Sequence, residues 1–325
     1  MAIADQVPVN SGFPARTDGA DVIRDVDLVG KTAIVTGGYS GIGLETVRAL
    51  ANQGARVIVP ARSRDKATSA LASLSDQVEI GDMDLGDIAS VRRFASSVSN
   101  SLTRVDLLIN NAGIMACPET RVGHGWEAQF GTNHLGHMAL ALGLMDVLCK
   151  ATGARVITLS STGHKLSNIR WDDIQFTKTP YEKWTAYGQS KTANALFANA
   201  LSRRLKRSGG LAFSVHPGGI FTPLQRHLSI EEQVTLGWLN EDGSPSELAK
   251  SGFKTPEQGC STTLWAATSD KLDGKPGVYC EDCDIAVPTE LGSPTARFRG
   301  VDAYACDDEA AERLWETSEA TLAGN

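Results

Sequence analysis

Short apolar runs recur along this chain, each followed by a longer stretch of helical periodicity. This alternation constrains the fold more than any other feature. TAIVT (32–36), RVIVP (56–60), VDLLIN (105–110) and RVITLS (155–160) have strand length and are rich in Val, Ile and Leu, and residues 78–83, 211–216 and 277–280 add three more runs. Residues 43–52, 65–73, 88–99, 126–150, 187–207 and 256–268 read as the intervening helices. Strands that are apolar throughout are buried on both faces, and helical crossovers join them as parallel neighbours with right-handed connections. The expectation is an α/β fold: a doubly wound parallel sheet of Rossmann type, a single domain of about seven strands with helices on both faces.

The regular pattern begins near Lys31 and shows no internal linker or repeat up to Ile285. Residues 1–28, rich in Pro, Gly and Asp, read as an N-terminal arm with one short helix near residues 19–25; residues 29–290 read as the domain, and 291–325 as a C-terminal tail with a short helix. Residues 222–255 interrupt the rhythm after the sixth strand and carry Leu224, Ile230, Leu236, Trp238 and Leu239 among polar neighbours. Ligands of such sheets lie beyond the carboxyl ends of the strands, so this insertion reads as a substrate lid; a longer surface loop is the other reading. The formal charge of −7 argues against nucleic acid as the main partner. No apolar stretch is long enough to span a bilayer and no signal pattern opens the chain, which leads to an expected cytoplasmic location without a membrane partner. Six scattered cysteines include one CxxC, Cys280 and Cys283, with no second pair to complete a metal site, so no metal is expected.

The first strand runs into Thr36-Gly37-Gly38-Tyr39-Ser40-Gly41-Ile42-Gly43 and then a helix. A Gly-rich turn there lets backbone approach a pyrophosphate, and the helix N-terminus offers free N–H groups to it. After the second strand comes Arg62 where an NAD site would carry an acidic residue; a guanidinium there suits a 2′-phosphate, which favours NADP(H) over NAD(H), although Arg62 also fits a solvated loop. Asp84 and Leu85 follow the third strand, where they could flank an adenine; Asp84 or Asp87 could equally cap the next helix. Asn110-Asn111-Ala112-Gly113 ends the fourth strand with small residues suited to a bound ribose, and Ser160-Ser161 ends the fifth. Tyr187 and Lys191 stand one helical turn apart, so their side chains share a face, and an ammonium beside a phenol is expected to lower the phenol pKa toward the working range. On its own such a pair is common.

Together, TGGYSGIG (36–43), NNAG (110–113), Asn133, SS (160–161), YGQSK (187–191) and PGGIFT (217–222) resemble the short-chain dehydrogenase/reductase family, in family order, from Lys31 to Ile285. The stretch containing FGTNHLGH (130–137) is similar to the branch of retinol dehydrogenases, WW-domain oxidoreductases and light-dependent protochlorophyllide reductases. The resemblance implies Tyr187 as general acid or base, Lys191 lowering its pKa and holding the nicotinamide ribose, Ser161 (with Ser160 the alternative) on the substrate carbonyl, and Asn133 on a water of a proton relay. It implies cofactor contacts from Gly37, Tyr39, Ser40, Gly41, Ile42, Gly43, Arg62, Asp84, Leu85, Asn111, Ala112 and Gly113, and, around the nicotinamide, from Pro217, Gly218, Ile220 and Thr222.

The activity expected is NADP(H)-dependent interconversion of an alcohol with its ketone or aldehyde, on a non-polar, medium-sized small-molecule substrate that suits the apolar lid segment. Two rivals stand beside it, a non-catalytic dinucleotide-binding redox sensor and a reductase of a C=C bond in a tetrapyrrole. Family members often pack the Tyr–Lys helix against a partner, so a homodimer or homotetramer is possible; the alanines and Phe197 of that helix would equally suit packing on the sheet.

Overall fold

The computed structural model describes residues 2–74 and 76–324; Met1 and Asn325, the ends of the expected arm and tail, lie outside the described residues. Seven parallel strands form the sheet: β1 (Thr32–Val35), β2 (Arg56–Ala61), β3 (Val78–Asp82), β4 (Leu107–Asn110), β5 (Arg155–Leu159), β6 (Leu211–His216) and β7 (Tyr279–Glu281). An eighth, β8 (Asp284–Ile285), turns back antiparallel on β7, one more than the sequence suggested. The order is β8-β7-β6-β5-β4-β1-β2-β3, so the winding reverses between β1 and β4 and opens a crevice there.

Strand alternation divides the core in two. Ile34, Ile58 and Leu108 point to one side, where they meet α3 (Ile88–Ser101), α4 (Gly136–Lys150) and α5 (Lys183–Leu205). Ala33, Val35, Val57 and Val59 point to the other, against α1 (Gly41–Asn52), α2 (Arg64–Leu71) and α6 (Ser261–Thr268). Among the described residues no helix is long and apolar enough to cross a membrane.

The helices expected over 126–150 and 256–268 begin or break differently. The one over 126–150 starts later, because Trp126–Glu127 pairs antiparallel with Arg121–Val122 as a small hairpin. The Glu127 carboxylate then accepts from the backbone N–H of Gln129 (2.8 Å) and Phe130 (2.7 Å), which starts the helix at Ala128. A π-helical stretch, Gly131–Leu135, carries Asn133 before α4 begins. The helix over 256–268 is two pieces, Pro256–Gly259 and α6, with Cys260 between them.

The N-terminal residues lie on the second core. Val22, Ile23 and Leu28 are buried in it, and the Asp284 carboxylate accepts from the backbone N–H of Val9 (2.7 Å) and Ser11 (3.2 Å). The tail ends in a sixteen-residue helix, α7 (Asp308–Ala323), longer than expected. Ala311, Leu314, Trp315 and Leu322 of α7 are buried in the first core; Trp315 stacks on Phe197 of α5 at 5.8 Å and 9°, and the Arg204 guanidinium lies 3.8 Å from the Trp315 ring. Arg203 and Arg204 both pair with Glu312. The outer face of α5 is therefore covered by the chain's own last helix.

Candidate active site

The turn after β1 is shaped by its glycines. Gly37 has φ +65°, a left-handed conformation, and a Cβ on Gly43 would stand 2.4 Å from the Gly37 carbonyl oxygen. The N-cap of α1, Ser40, makes no side-chain bond to the helix, so the first N–H groups of a twelve-residue helix face the crevice without a side-chain acceptor. A cradle that a side chain would fill and a set of uncapped amides fit a pyrophosphate.

Thr36, at the end of β1, ties this turn to the neighbouring strand. Its hydroxyl oxygen accepts from the backbone N–H of Asn111 and Ala112, both at 2.9 Å, while Asn111 Nδ2 donates to the Thr36 carbonyl (2.8 Å). His137 Nδ1 lies 2.9 Å from the Asn133 carbonyl, which can only accept, so Nδ1 carries the proton and Nε2 accepts from the Thr36 hydroxyl at 2.8 Å. Burial holds this imidazole down to about 4, neutral at ordinary pH. Asn133 is fully enclosed: its amide donates to the Ile114 carbonyl and to Ser190 Oγ, and its Oδ1 accepts from Ile114 N, each at 2.9 Å. Its side chain is thus engaged in bracing the Gly113–Met115 loop, and a Cβ on Gly113 would touch Asn133 Oδ1 (3.3 Å) and approach Lys191 Nζ (3.8 Å).

The two serines after β5 separate by orientation. Ser160 is buried and donates to the Lys191 carbonyl (2.7 Å), pinning α5 to the strand end. Ser161 lines the crevice; its Oγ accepts from Gly163 N (3.0 Å), and its hydroxyl bonds the Tyr187 phenol. α5 is started by Glu182, whose carboxylate accepts from Trp184 N and Thr185 N, so Tyr187 and Lys191 lie inside the helix rather than at its beginning.

Tyr187 and Lys191 share a face, with Nζ 5.5 Å from the phenol ring centroid and each residue 5% exposed. The expected lowering of the phenol pKa does not hold in this structure. Burial pushes Tyr187 up to about 12 against the opposing hydrogen bond from Ser161, and burial pushes Lys191 down to about 8. The ammonium spends its contact on the Leu159 carbonyl at 3.0 Å rather than on the phenol.

Around this centre runs one cavity of about 1720 Å³, room for a dinucleotide and a substrate together. Gly37, Tyr39, Ser40, Gly41, Ile42, Gly43, Arg62, Asp84, Leu85, Asn111, Ala112, Gly113, Pro217, Gly218, Ile220 and Thr222 all line it. Arg62 is exposed and, among the described residues, has no carboxylate partner. Asp87, not Asp84, caps α3 by accepting from Ala89 N; Asp84 Oδ1 accepts from Gly86 N. At the far end Trp184, Leu224, Leu236 and Trp238 form an apolar wall with Met115, the two indoles perpendicular at 6.3 Å.

A family model described as short chain dehydrogenase matches residues 31–233. The chain belongs to the short-chain dehydrogenase family. This short-chain dehydrogenase is 42% identical over 302 residues to a "Probable oxidoreductase" of Streptomyces lividans, covering 91% of its own chain and 99% of the relative. It is 36% identical over 299 residues to retinol dehydrogenase 11 of Mus musculus, covering 90% and 87%. A crystal structure of an uncharacterized protein from Mycobacterium Paratuberculosis superposes with a TM-score of 0.68 at 34% identity, covering 90% and 94%. The protein is an oxidoreductase of the retinol dehydrogenase-like branch.

Several contributors to this short-chain dehydrogenase site left no mark in the sequence. Arg226 lines the cavity from the insertion and stands close enough to Arg62 for the like charge to depress its pKa further, after burial. Lys254 pairs with Asp282 at 2.7 Å and its side chain packs 3.0 Å from where a Cβ on Gly218 would be, supporting the loop after β6. Arg297, Phe298 and Arg299 of the tail also line the cavity. Cys280 and Cys283 are buried free thiols, and among the described residues no three His, Cys, Asp or Glu side chains are grouped to hold a metal.

Proposed function

We propose that the protein uses NADP(H) to interconvert an apolar alcohol with its ketone or aldehyde. The observation that carries this reading is the convergence of Ser161, Tyr187 and Lys191 on one wall of a cavity that continues a glycine-lined crevice on one side and an indole-lined pocket on the other. The dinucleotide, when bound, supplies or accepts the hydride.

In reduction, the Ser161 hydroxyl donates to the carbonyl oxygen and steadies the charge developing there. Tyr187 delivers the proton to the same oxygen; in oxidation it takes that proton back. A phenol held at about 12 is a strong base once ionised, so it needs a compensating charge in the step that ionises it. Lys191, buried in the next turn with Nζ 5.5 Å from the phenol ring centroid, is the cation that shares this face, and it would hold the ribose hydroxyls as well as offset the phenolate. Asn133 acts by holding the Ile114 backbone and Ser190 in place; if it binds a relay water it must do so with its remaining acceptor capacity. Arg62, unpaired and on the rim beyond β2, supports NADP(H) over NAD(H), since a guanidinium fork matches a phosphate and repays no acid in the chain. Residues 222–255 serve as the lid that excludes water from the reacting carbonyl.

The test is NADPH consumption against a panel of ketones and aldehydes, in parallel with NADH. Wild type should turn over apolar carbonyls, and Tyr187→Phe should lose at least about 1,000-fold in kcat while binding NADPH within about twofold of wild type. No turnover of any carbonyl by a protein that binds NADPH would sink the proposal.

A further inference from the structure

His164 is fully buried three residues after Ser161 and is bonded on every side. Its Nδ1 lies 2.6 Å from the Ser161 carbonyl, and its Nε2 lies 3.1 Å from the backbone nitrogen of Asp302. The carbonyl can only accept and the amide can only donate, so both ends select the same neutral tautomer, with the proton on Nδ1. The backbone carbonyl of His164 accepts from Tyr304 Oη at 2.7 Å and from Thr192 Oγ1 at 3.1 Å, the latter from the helix that carries Tyr187 and Lys191. Tyr279 closes the remaining side, its ring 5.3 Å from the imidazole and its Oη 3.4 Å from Nδ1, longer than the 2.6 Å contact to the Ser161 carbonyl that takes the Nδ1 proton. Lys165 holds Asp302 from the flank through its carboxylate at 3.1 Å.

Ser161 is extended (φ −170°), and its Oγ is the acceptor that starts the following turn at Gly163. Rotation of the peptide after Ser161 would therefore move the hydroxyl relative to Tyr187. The backbone N–H of His164 donates to that peptide oxygen at 2.9 Å, and the imidazole Nδ1 adds a second, shorter hold at 2.6 Å, which is the one a side-chain substitution removes. Asp302 and Tyr304 lie beyond residue 233, where the match to the family model ends.

We propose that His164 is a positioning residue that fixes the Ser161 hydroxyl through the Ser161 carbonyl, and that the backbone amide of Asp302 fixes His164 in turn. The tail segment around Asp302 thereby sets the aim of the active-site serine. A histidine that merely fills the core would stabilise the fold without acting through Ser161, and that difference is measurable. The inference rests on the role given to Ser161 above, and the experiment separates the two.

Kinetics are measured with whichever carbonyl of the panel is turned over fastest. An asparagine amide nitrogen stands the same number of bonds from Cβ as Nδ1, and a glutamine amide atom the same number as Nε2. His164→Asn should thus keep much of the hold on Ser161, whereas His164→Gln should lose roughly 10- to 100-fold in kcat with NADPH affinity unchanged. In a Ser161→Ala background His164→Gln should cost less than about twofold further. Asp302→Pro removes the amide proton at a residue whose φ is already −77°, and should mimic His164→Gln; Asp302→Asn keeps the amide and should stay within about threefold of wild type. If Ser161→Ala leaves kcat intact, the reading of the site fails. If Ser161→Ala is slow but the His164→Gln loss is undiminished in that background, the positioning role fails. Should a His164 variant not fold, Asp302→Pro decides in its place: a loss in kcat that vanishes in the Ser161→Ala background supports the positioning role, and no loss, or one undiminished in that background, overturns it. If no carbonyl is turned over, the reading of the site fails and the inference with it; Nε2–H or imidazolium at neutral pH, by nitrogen-15 NMR of labelled histidine in the wild-type protein, overturns it as well.

Discussion

Acid should destabilise this protein well before its carboxylates titrate, and His134 lets one contribution be isolated. His134 is 1% exposed between Phe130 and Phe197, with Nε2 2.8 Å from Ser318 Oγ of α7 and Nδ1 without a partner among the described residues. Burial, with a smaller push from His137, lowers it to about 3. The unfolded chain binds a proton at this residue near pH 6.5 and the folded chain does not until near 3, so stability falls as pH drops through that window. From about pH 7 to about pH 5 the loss is roughly 2 kcal/mol, and it depends almost wholly on the unfolded value because the folded state is still unprotonated. His134→Leu removes the proton site, keeps the apolar contacts and leaves Ser318 able to bond its own helix. Urea unfolding of both proteins at about pH 7, 6 and 5 should show wild type losing about 2 kcal/mol more than the variant, while His137 and His164 contribute equally to both. Parallel stability curves, within about 0.5 kcal/mol, would refute the claim that this imidazole stays neutral in the fold.

Three other outcomes follow from the geometry. Gly43→Ala places a methyl 2.4 Å from the Gly37 carbonyl and should weaken NADPH binding at least about tenfold by fluorescence titration; unchanged affinity would mean the turn does not hold the phosphates. Arg62→Ala should weaken NADPH binding by about 10- to 100-fold and leave NADH nearly untouched, and an equal effect on both would remove Arg62 from the 2′-phosphate. Trp315→Ala, at a residue 4% exposed, should cost about 3–5 kcal/mol in urea unfolding; a cost below about 1 kcal/mol would show that α7 is loosely held.

Local periodicity made the parallel strands visible, because buried strands of four to six residues are continuous apolar runs. The residues at their carboxyl ends could be read for the same reason: once β1, β4, β5 and β6 were placed, Gly37–Gly43, Asn111–Gly113, Ser161 and Pro217–Thr222 had to meet at one edge of the sheet. Two-residue strands carry no period, so the Arg121–Glu127 hairpin was hidden inside a helical pattern and β8 was missed. Ionisation was the other blind spot. Spacing put an ammonium beside Tyr187, but only the enclosed geometry shows that burial outweighs it and that Lys191 bonds Leu159 instead. The hold of Asp302 on His164 joins residues 138 apart through a backbone amide, which no side-chain identity could announce.

The Arg203–Glu312 contact between α5 and α7 also has a consequence in time. The two residues are 109 apart, and synthesis runs at about 5–20 residues per second. The helix bearing Tyr187 and Lys191 therefore emerges several seconds before the segment that covers its outer face. During that interval Phe197 lacks its stacking partner, and the half-made domain presents an apolar stripe to whatever else is nearby. Protection in that window must come from a chaperone or from speed, and a chain cut before residue 307 should stay in that adhesive state.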